Sequence, residues 1–162
     1  MNRLPLLILL SGGALAATTP PSPVQLTATT NLVVRETRDG KTTEVLRAAE
    51  GVLPGNLLEL AQTIRNTSTR DLREMALNMP LDRALTFQSA TCTLGGVVTL
   101  YSLDGKTYAK APLMKTVTVT ENGRQVQKQV EAKPSEYRGV RWQIPTLKAG
   151  ETGRCAVRAT VR

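Results

Sequence analysis

The side chains that most often carry enzyme chemistry are scarce in this sequence, which contains no histidine. A Ser-His-Asp triad, a Cys-His pair and a histidine metal site are therefore excluded. The acidic residues are dispersed: Asp39 and Asp104 fall in turn motifs, and Glu36, Glu44 and Glu121 fall on polar strand faces. We predict no cofactor and no metal. A small secreted hydrolase that uses carboxylates only is the alternative, because strand pairing can bring two distant carboxylates together.

The chain contains two cysteines, Cys92 and Cys155. They are too far apart for a Cys-x-x-C redox motif, and two sulfurs without histidine make a poor zinc site. In an oxidising compartment we expect one disulfide, which in the loop-entropy model stabilises a loop of about 60 residues by at most about 4 kcal/mol. Two buried thiols are the alternative.

The charge balance of the chain raises several anionic partners as candidates. The chain has 21 Lys and Arg against 13 Asp and Glu, a net charge of +8. Nucleic acid, membrane surfaces and anionic envelope polymers all bind strongly basic proteins. With one Trp, three Tyr and one Phe the chain has few rings on which bases can stack, so we predict no nucleic-acid partner. A merely solvated basic surface is the alternative.

The N-terminus has the layout of a secretory signal peptide: Arg3, the apolar stretch LPLLILL and the small-residue stretch ALAA. The apolar stretch is shorter than the about 20 residues that span a membrane, which leaves an anchor helix as the less favoured alternative. We predict a signal peptide over 1–17, an extended Pro-rich leader over 18–23 and a single domain over 24–162. The protein is expected in the periplasm, the cell envelope or the extracellular space.

Apolar and polar residues alternate along most of the remaining chain, which is typical of strands. In VQLTATTNLVV one face carries Val24, Leu26, Ala28, Leu32 and Val34. Asp-Gly or Asn-Gly pairs at 39–40, 104–105 and 122–123 predict three two-residue hairpins. Short strands separated by such turns indicate an all-β antiparallel sandwich.

The segment RNTST predicts a turn, because Asn, Ser and Thr side chains hydrogen-bond the nearby backbone and compete with a strand ladder. The strand that ends at Ile64 is expected to reverse there, and the chain returns as a strand from Leu72 to Met79. Pro80 cannot donate to a ladder and ends that strand or marks an edge. The run RDLREMAL also permits a short helix, which is the alternative.

A basic face follows from the last two predicted strands. Arg154, Arg158 and Arg162 alternate with apolar residues in the final strand, and Arg141 does so in the strand before it. If these consecutive strands pair, as is usual, the four arginines share one solvent face. Guanidinium groups match carboxylates and phosphates. We therefore predict that this face docks on an anionic envelope polymer, membrane head groups or an acidic envelope protein. A charged outer sheet that keeps the protein soluble and prevents edge pairing is the alternative.

The order of several segments resembles a bacterial conserved-repeat family, domain of unknown function 11. The segment GVLPGNLLELAQTIRNTSTRDLREMALNMPLDRALTFQSATC resembles the family's Pro-Gly-Asp opening, its strand ending in Thr-Asn-Thr, its Pro-Leu-Pro-Ala-Gly turn and its aromatic, here Phe87. The tail VRWQIPTLKAGETGRCAVRATV resembles the family's Trp strand, turn and last strand. YSLDGKTY and SEYRGVRW resemble secreted members with a hairpin insertion.

This resemblance covers roughly residues 52–161. It implies an immunoglobulin-like antiparallel β-sandwich with an inserted β-hairpin region, located on cell surfaces or in envelopes and without enzymatic activity. The expected function is therefore a non-catalytic, secreted cell-envelope or surface module with a structural or interaction role.

Overall fold

The computed structural model describes residues 22–162, so the predicted signal peptide and most of the predicted leader lie outside the described residues. No helix within this range is long and apolar enough to cross a membrane. The range contains ten strands and one turn of 3-10 helix, Pro134–Glu136. The strands are β1 (Val24–Arg38), β2 (Lys41–Ala48), β3 (Leu57–Asn66), β4 (Leu72–Pro80), β5 (Leu85–Cys92), β6 (Val98–Ser102), β7 (Met114–Glu121), β8 (Arg124–Glu131), β9 (Gly139–Leu147) and β10 (Thr152–Val161).

These strands form antiparallel sheets, which confirms the predicted all-β class. A five-stranded sheet has the order β2-β1-β3-β10-β5, and a three-stranded sheet has the order β4-β9-β6. β7 and β8 form a separate two-stranded ribbon between β6 and β9 in the chain. The arrangement is consistent with a β-sandwich.

One hydrophobic core joins the two larger sheets. Cys155 and Val157 of β10 and Val140, Trp142 and Ile144 of β9 are fully buried and belong to the same cluster. Each large apolar side chain contributes about 1.5–3 kcal/mol through its burial. The core therefore fixes β9 and β10 in opposite layers.

The predicted disulfide is present. Cys92 and Cys155 are direct partners in the register of β5 and β10, and their sulfur atoms are bonded. The bond ties the edge strand β5 to a strand in the interior of the five-stranded sheet.

Two of the three predicted hairpins are confirmed. Asp39-Gly40 joins β1 to β2 and Asn122-Gly123 joins β7 to β8, and all four residues have positive φ, as such turns require. The hairpin predicted at 104–105 is wrong, because Tyr101 forms only an isolated bridge with Ala109. The Asp104 carboxylate accepts hydrogen bonds from the backbone N–H groups at 106 and 107, which withdraws these donors from a ladder.

The turn predicted at RNTST is confirmed and centres on Asn66, which is fully buried. Its Nδ2 lies 2.7 Å from the Arg70 carbonyl oxygen, 3.0 Å from that of Leu147 and 3.1 Å from that of Lys148. The turn carries the chain from β3 in one sheet to β4 in the other. Since β4 is a strand that ends at Pro80, the helical alternative for RDLREMAL is wrong and the predicted end of the strand is confirmed.

The first hairpin is only partly covered by the shared core, against which Val24 and Leu32 of β1 pack as partly buried residues. Neither β1 nor β2 contains a buried residue. Leu26, on the predicted apolar face of β1, is 52% exposed, and Leu46 of β2 is 43% exposed. Alternation in β1 therefore indicates a strand correctly but does not show that its apolar face is covered.

Candidate anion-binding cleft

The structure separates the four arginines that the sequence places on one face. β9 pairs with β4 and β6, whereas β10 pairs with β3 and β5. Arg141 consequently lies in the three-stranded sheet, whereas Arg154 and Arg158 lie in the five-stranded sheet. Arg162 follows β10 directly. The predicted pairing of the last two strands is wrong, because the chain changes sheets between Leu147 and Thr152.

Arg154 and Arg158 form an ion-pair network with two glutamates. Arg154 Nη2 lies 2.7 Å from Glu59 Oε1, and Arg158 Nε lies 3.2 Å from Glu59 Oε2. Arg158 Nη1 also lies 2.7 Å from Glu44 Oε2. These carboxylates offset the positive charge of the two arginines, so this face is poorly suited to an anionic partner.

Glu59 is the buried centre of the network, with a side chain that is 9% exposed. Burial raises the pKa of Glu59, but the hydrogen bonds from Arg154 and Arg158 together outweigh burial and hold that pKa below its ordinary value of 4.5. The hydrogen bond to Glu44, supported by the one to Glu59, raises the pKa of Arg158. Glu59 and Arg158 are therefore both charged at neutral pH.

Arg141 makes contacts within its own sheet. Its Nε donates to Asn78 Oδ1 at 2.6 Å, and Asn78 is its register partner on β4. The guanidinium carbon lies 4.1 Å from the centre of the Tyr108 ring. Exposed cation–π contacts contribute about 0.5–1 kcal/mol, which favours a structural role for Arg141.

Arg162 lies in a cleft with two arginines that the sequence reasoning did not single out. The cleft has a volume of about 550 Å³. Its lining includes Arg83, Arg138, Arg162, Asp104, Leu81 and Leu103. Two other cavities, of about 400 and 420 Å³, are lined by no arginine or lysine. The concentration of positive charge selects this cleft as the candidate site.

The β4–β5 turn positions Arg83 and Arg162. The Asp82 carboxylate accepts a hydrogen bond from Ala84 N at 2.7 Å, and this closes the turn that carries Arg83. The Ala84 carbonyl accepts a hydrogen bond from Arg162 N at 2.8 Å. The Arg162 Nε lies 3.0 Å from Thr86 Oγ1, so the Arg162 side chain is fixed against the start of β5.

Arg138 links two walls of the cleft through its backbone. Its N–H donates to the Ser102 carbonyl at 2.7 Å, and its carbonyl accepts from Leu81 N at 2.9 Å. One guanidinium nitrogen, Nη1, donates to the Leu85 carbonyl at 3.2 Å. The cation is therefore held in place, and a guanidinium has further N–H groups with which to bind a ligand.

Asp104 is the acidic residue among those that line the cleft. Its Oδ1 accepts hydrogen bonds from Lys106 N at 2.7 Å, Thr107 N at 2.8 Å and Ser102 Oγ at 2.8 Å. These hydrogen bonds, led by the two from the backbone, lower the pKa of Asp104, so the carboxylate stays ionised.

The positive charge of the cleft is available to a ligand. Across residues 22–162, none of the ion pairs within 4.0 Å includes Asp104 or the three cleft arginines. The lining side chains thus carry three positive charges and one negative charge, a net charge of +2.

Sequence reasoning missed Arg83 and Arg138, because the cleft residues come from four distant segments of the chain. The available indications are local: Arg83 follows the turn residue Asp82, and Arg138 stands between the 3-10 turn and β9. Neither position alternates with apolar residues in a way that would have marked it.

Comparison of the chain with protein-family models, with curated proteins and with solved structures gave no match. The resemblance to the conserved-repeat domain therefore stays a prediction. Over the part of the chain that the structure describes, no group of three or more His, Cys, Asp or Glu side chains is placed to hold a metal ion.

Proposed function

We propose that this protein is a non-catalytic, exported cell-envelope module that binds an anionic envelope component through the cleft of Arg83, Arg138 and Arg162. The observation that carries the proposal is the net charge of +2 in a cleft of about 550 Å³. Guanidinium groups bind carboxylates and phosphates through paired hydrogen bonds. The proposed partners are those inferred from the sequence: an anionic envelope polymer, membrane head groups or an acidic envelope protein. The proposed binding surface is this cleft instead of the sheet face.

The proposal of export rests on the signal-peptide layout of the N-terminus and on the disulfide between Cys92 and Cys155. Disulfides persist in oxidising compartments such as the periplasm and the extracellular space. An immunoglobulin-like topology is part of the proposal, and it is supported by two antiparallel sheets between which the chain crosses repeatedly.

A hydrolase that uses carboxylates only is the alternative from another class. Such an enzyme needs two carboxyl groups that face one reaction site. In the three cavities described above the acidic lining residues are Glu74 in one and Asp104 in the other two. One acidic residue per cavity favours the binding module over the hydrolase.

Sedimentation of the purified protein with isolated cell envelopes tests the proposal. We expect binding that weakens steeply with salt, because exposed charges are screened beyond about 10 Å at 0.1 M ionic strength. Replacing Arg83, Arg138 and Arg162 by Gln removes three positive charges and should abolish most of the binding at low salt.

A matched control removes the same charge elsewhere on the protein. Arg38, Arg65 and Arg124 are exposed and lie outside the cleft, so their replacement by Gln tests non-specific attraction alone. Circular dichroism should verify that both triple variants are folded. Equal losses in the two variants, or full binding by the cleft variant, would contradict the proposal.

A further inference from the structure

We infer that the group recognised by the three-arginine cleft is the phosphate of an organic phosphate, an inference that rests on the proposed function and specifies its ligand chemistry. A carboxylate-bearing ligand is the competing possibility for any arginine site. The charge, the placement of the three arginines and the size of the cleft each favour phosphate.

The charge of the lining matches a phosphate monoester. Three guanidinium groups and the ionised Asp104 leave a net charge of +2. A phosphate monoester carries about −1.5 to −2 at pH 7, whereas a carboxylate carries a single negative charge. Repulsion from Asp104 and attraction to the three arginines both grow with the charge of the ligand, so at a net charge of +2 the more highly charged ligand is attracted more strongly.

The three arginines come from three separate segments of the chain that meet at the cleft. Arg83 lies in the β4–β5 turn, Arg138 precedes β9, and Arg162 follows β10. A carboxylate has two acceptor oxygens, and their preferred hydrogen-bond donors lie near one plane. A phosphate monoester offers three acceptor oxygens that do not lie in one plane with its phosphorus, so it can bind guanidinium groups from several directions.

The cleft has room for more than the phosphate group. Its volume of about 550 Å³ falls in the range of about 300–1,000 Å³ that is typical of small-molecule pockets. A water molecule occupies about 30 Å³ in the liquid, so inorganic phosphate alone would leave most of the cleft empty. Leu81 and Leu103 supply apolar lining for the organic part of the ligand.

Calorimetric titration of the full chain with glycerol phosphate and with acetate, at equal ionic strength and neutral pH, tests the ligand class. Glycerol phosphate should bind at least about tenfold more tightly than acetate. Arg83→Glu should weaken glycerol phosphate binding by about 10- to 100-fold, since hydrogen bonds to charged groups are strong. Arg83 is exposed, and within the described residues its side chain forms no hydrogen bond or ion pair, so this variant should fold.

Arg124→Glu changes the charge by the same amount at the tip of the β7–β8 ribbon, and it should bind like the wild type. Acetate binding as tight as glycerol phosphate would overturn the inference. Equal affinities of Arg83→Glu and wild type for glycerol phosphate would do so as well.

Vesicles of phosphatidylcholine with and without phosphatidic acid distinguish the sources of the phosphate. If the protein binds the phosphatidic acid vesicles and glycerol phosphate displaces it, the inference is supported and the phosphate belongs to a lipid head group. Binding of glycerol phosphate without vesicle binding also supports it and assigns it to a soluble or polymer-borne phosphate.

Glycerol phosphate competition in the envelope assay separates the two proposals. If envelope binding requires Arg83 but saturating glycerol phosphate does not displace the protein, the phosphate inference fails and the proposed function stands. If the protein binds glycerol phosphate through Arg83 but does not bind envelopes, the proposed function fails and the assignment of phosphate to the cleft stands.

Discussion

Arg158 and Glu59 are direct register partners across β10 and β3, with Arg158 Nε 3.2 Å from Glu59 Oε2. The same carboxylate accepts a hydrogen bond from Arg154, so one buried glutamate binds two guanidinium groups. The sequence of β10 predicts a row of free cations, but Arg154 and Arg158 are both paired with glutamate within the protein. Arg162, in contrast, forms no ion pair within the described residues and lines a cleft together with Arg83 and Arg138.

Glu59→Gln should destabilise the protein and reduce its sensitivity to acid. The folded-state pKa of Glu59 lies below 4.5, so the unfolded chain binds this proton more readily. The stability that Glu59 contributes is therefore present above a pH of about 4.5 and lost as the pH falls through the folded-state pKa. At neutral pH we expect the free energy of unfolding to fall by about 1–2 kcal/mol, less than for a fully buried pair because both arginines reach solvent.

Urea unfolding between about pH 3 and pH 7 measures both effects. Glu131→Gln is the matched control, since Glu131 is exposed and takes part in no ion pair of the described residues. An acid dependence in Glu59→Gln as steep as that of the wild type would rule out this role for Glu59.

The local features of this fold were predictable from the sequence, because each is decided within a few residues. Asp39-Gly40 and Asn122-Gly123 adopt the positive φ that their turns need, and RNTST reverses the chain through its own side chains. The prediction that β9 pairs with β10 was wrong, because alternation of apolar and polar residues indicates which residues share a face but not which sheet a strand joins. The cleft could not be predicted for a related reason: its three arginines come from three distant segments of the chain, which meet only in the folded protein.

Asn66→Asp should be among the most destabilising single changes. The Asn66 Nδ2 group donates toward three carbonyl oxygens, and Oδ1 accepts a hydrogen bond from Ser68 N at 3.0 Å. Aspartate would bury an ionised oxygen against these carbonyls, so we expect a loss of about 3 kcal/mol or more at neutral pH. The loss should shrink on acidification, because protonated aspartic acid regains one donor.

Thermal unfolding at several pH values checks this, with Asn122→Asp as the control. Asn122 is exposed in a turn with positive φ, a conformation that Asp also adopts, so the control should unfold within about 0.5 kcal/mol of the wild type. Similar stabilities for the two variants would show that the Asn66 hydrogen bonds do not stabilise the turn.

The disulfide should stabilise the domain by constraining its unfolded chain. Cys92 and Cys155 are 63 residues apart, and for loops of this length the entropic model gives about 4 kcal/mol as an upper figure. Replacing both cysteines by Ser should lower the free energy of unfolding by about 2–4 kcal/mol. Reductant should destabilise the wild type by a similar amount and leave the double variant unchanged. A double variant as stable as the oxidised wild type would contradict a stabilising role.

Gly153→Ala should destabilise the domain because Gly153 leaves space for Leu94. A Cβ at position 153 would overlap the Leu94 side chain, which is 8% exposed and belongs to the core. Gly153 lies in β10 and does not have positive φ, so what it provides is room rather than backbone freedom. Moving Leu94 out of its packed position should lower the free energy of unfolding by about 1–3 kcal/mol.

Gly95→Ala is the matched control, because a Cβ at position 95 meets nothing within 4 Å and the residue also lacks positive φ. It should leave stability unchanged or raise it by up to about 1 kcal/mol, since alanine restricts the unfolded chain. A double-mutant cycle with Leu94→Ala provides a second check. If the Leu94 side chain is what the new methyl group meets, adding Gly153→Ala to Leu94→Ala should cause little further loss in the free energy of unfolding. Urea unfolding of the four variants measures the coupling. Strictly additive losses would mean that Leu94 does not limit the residue at position 153.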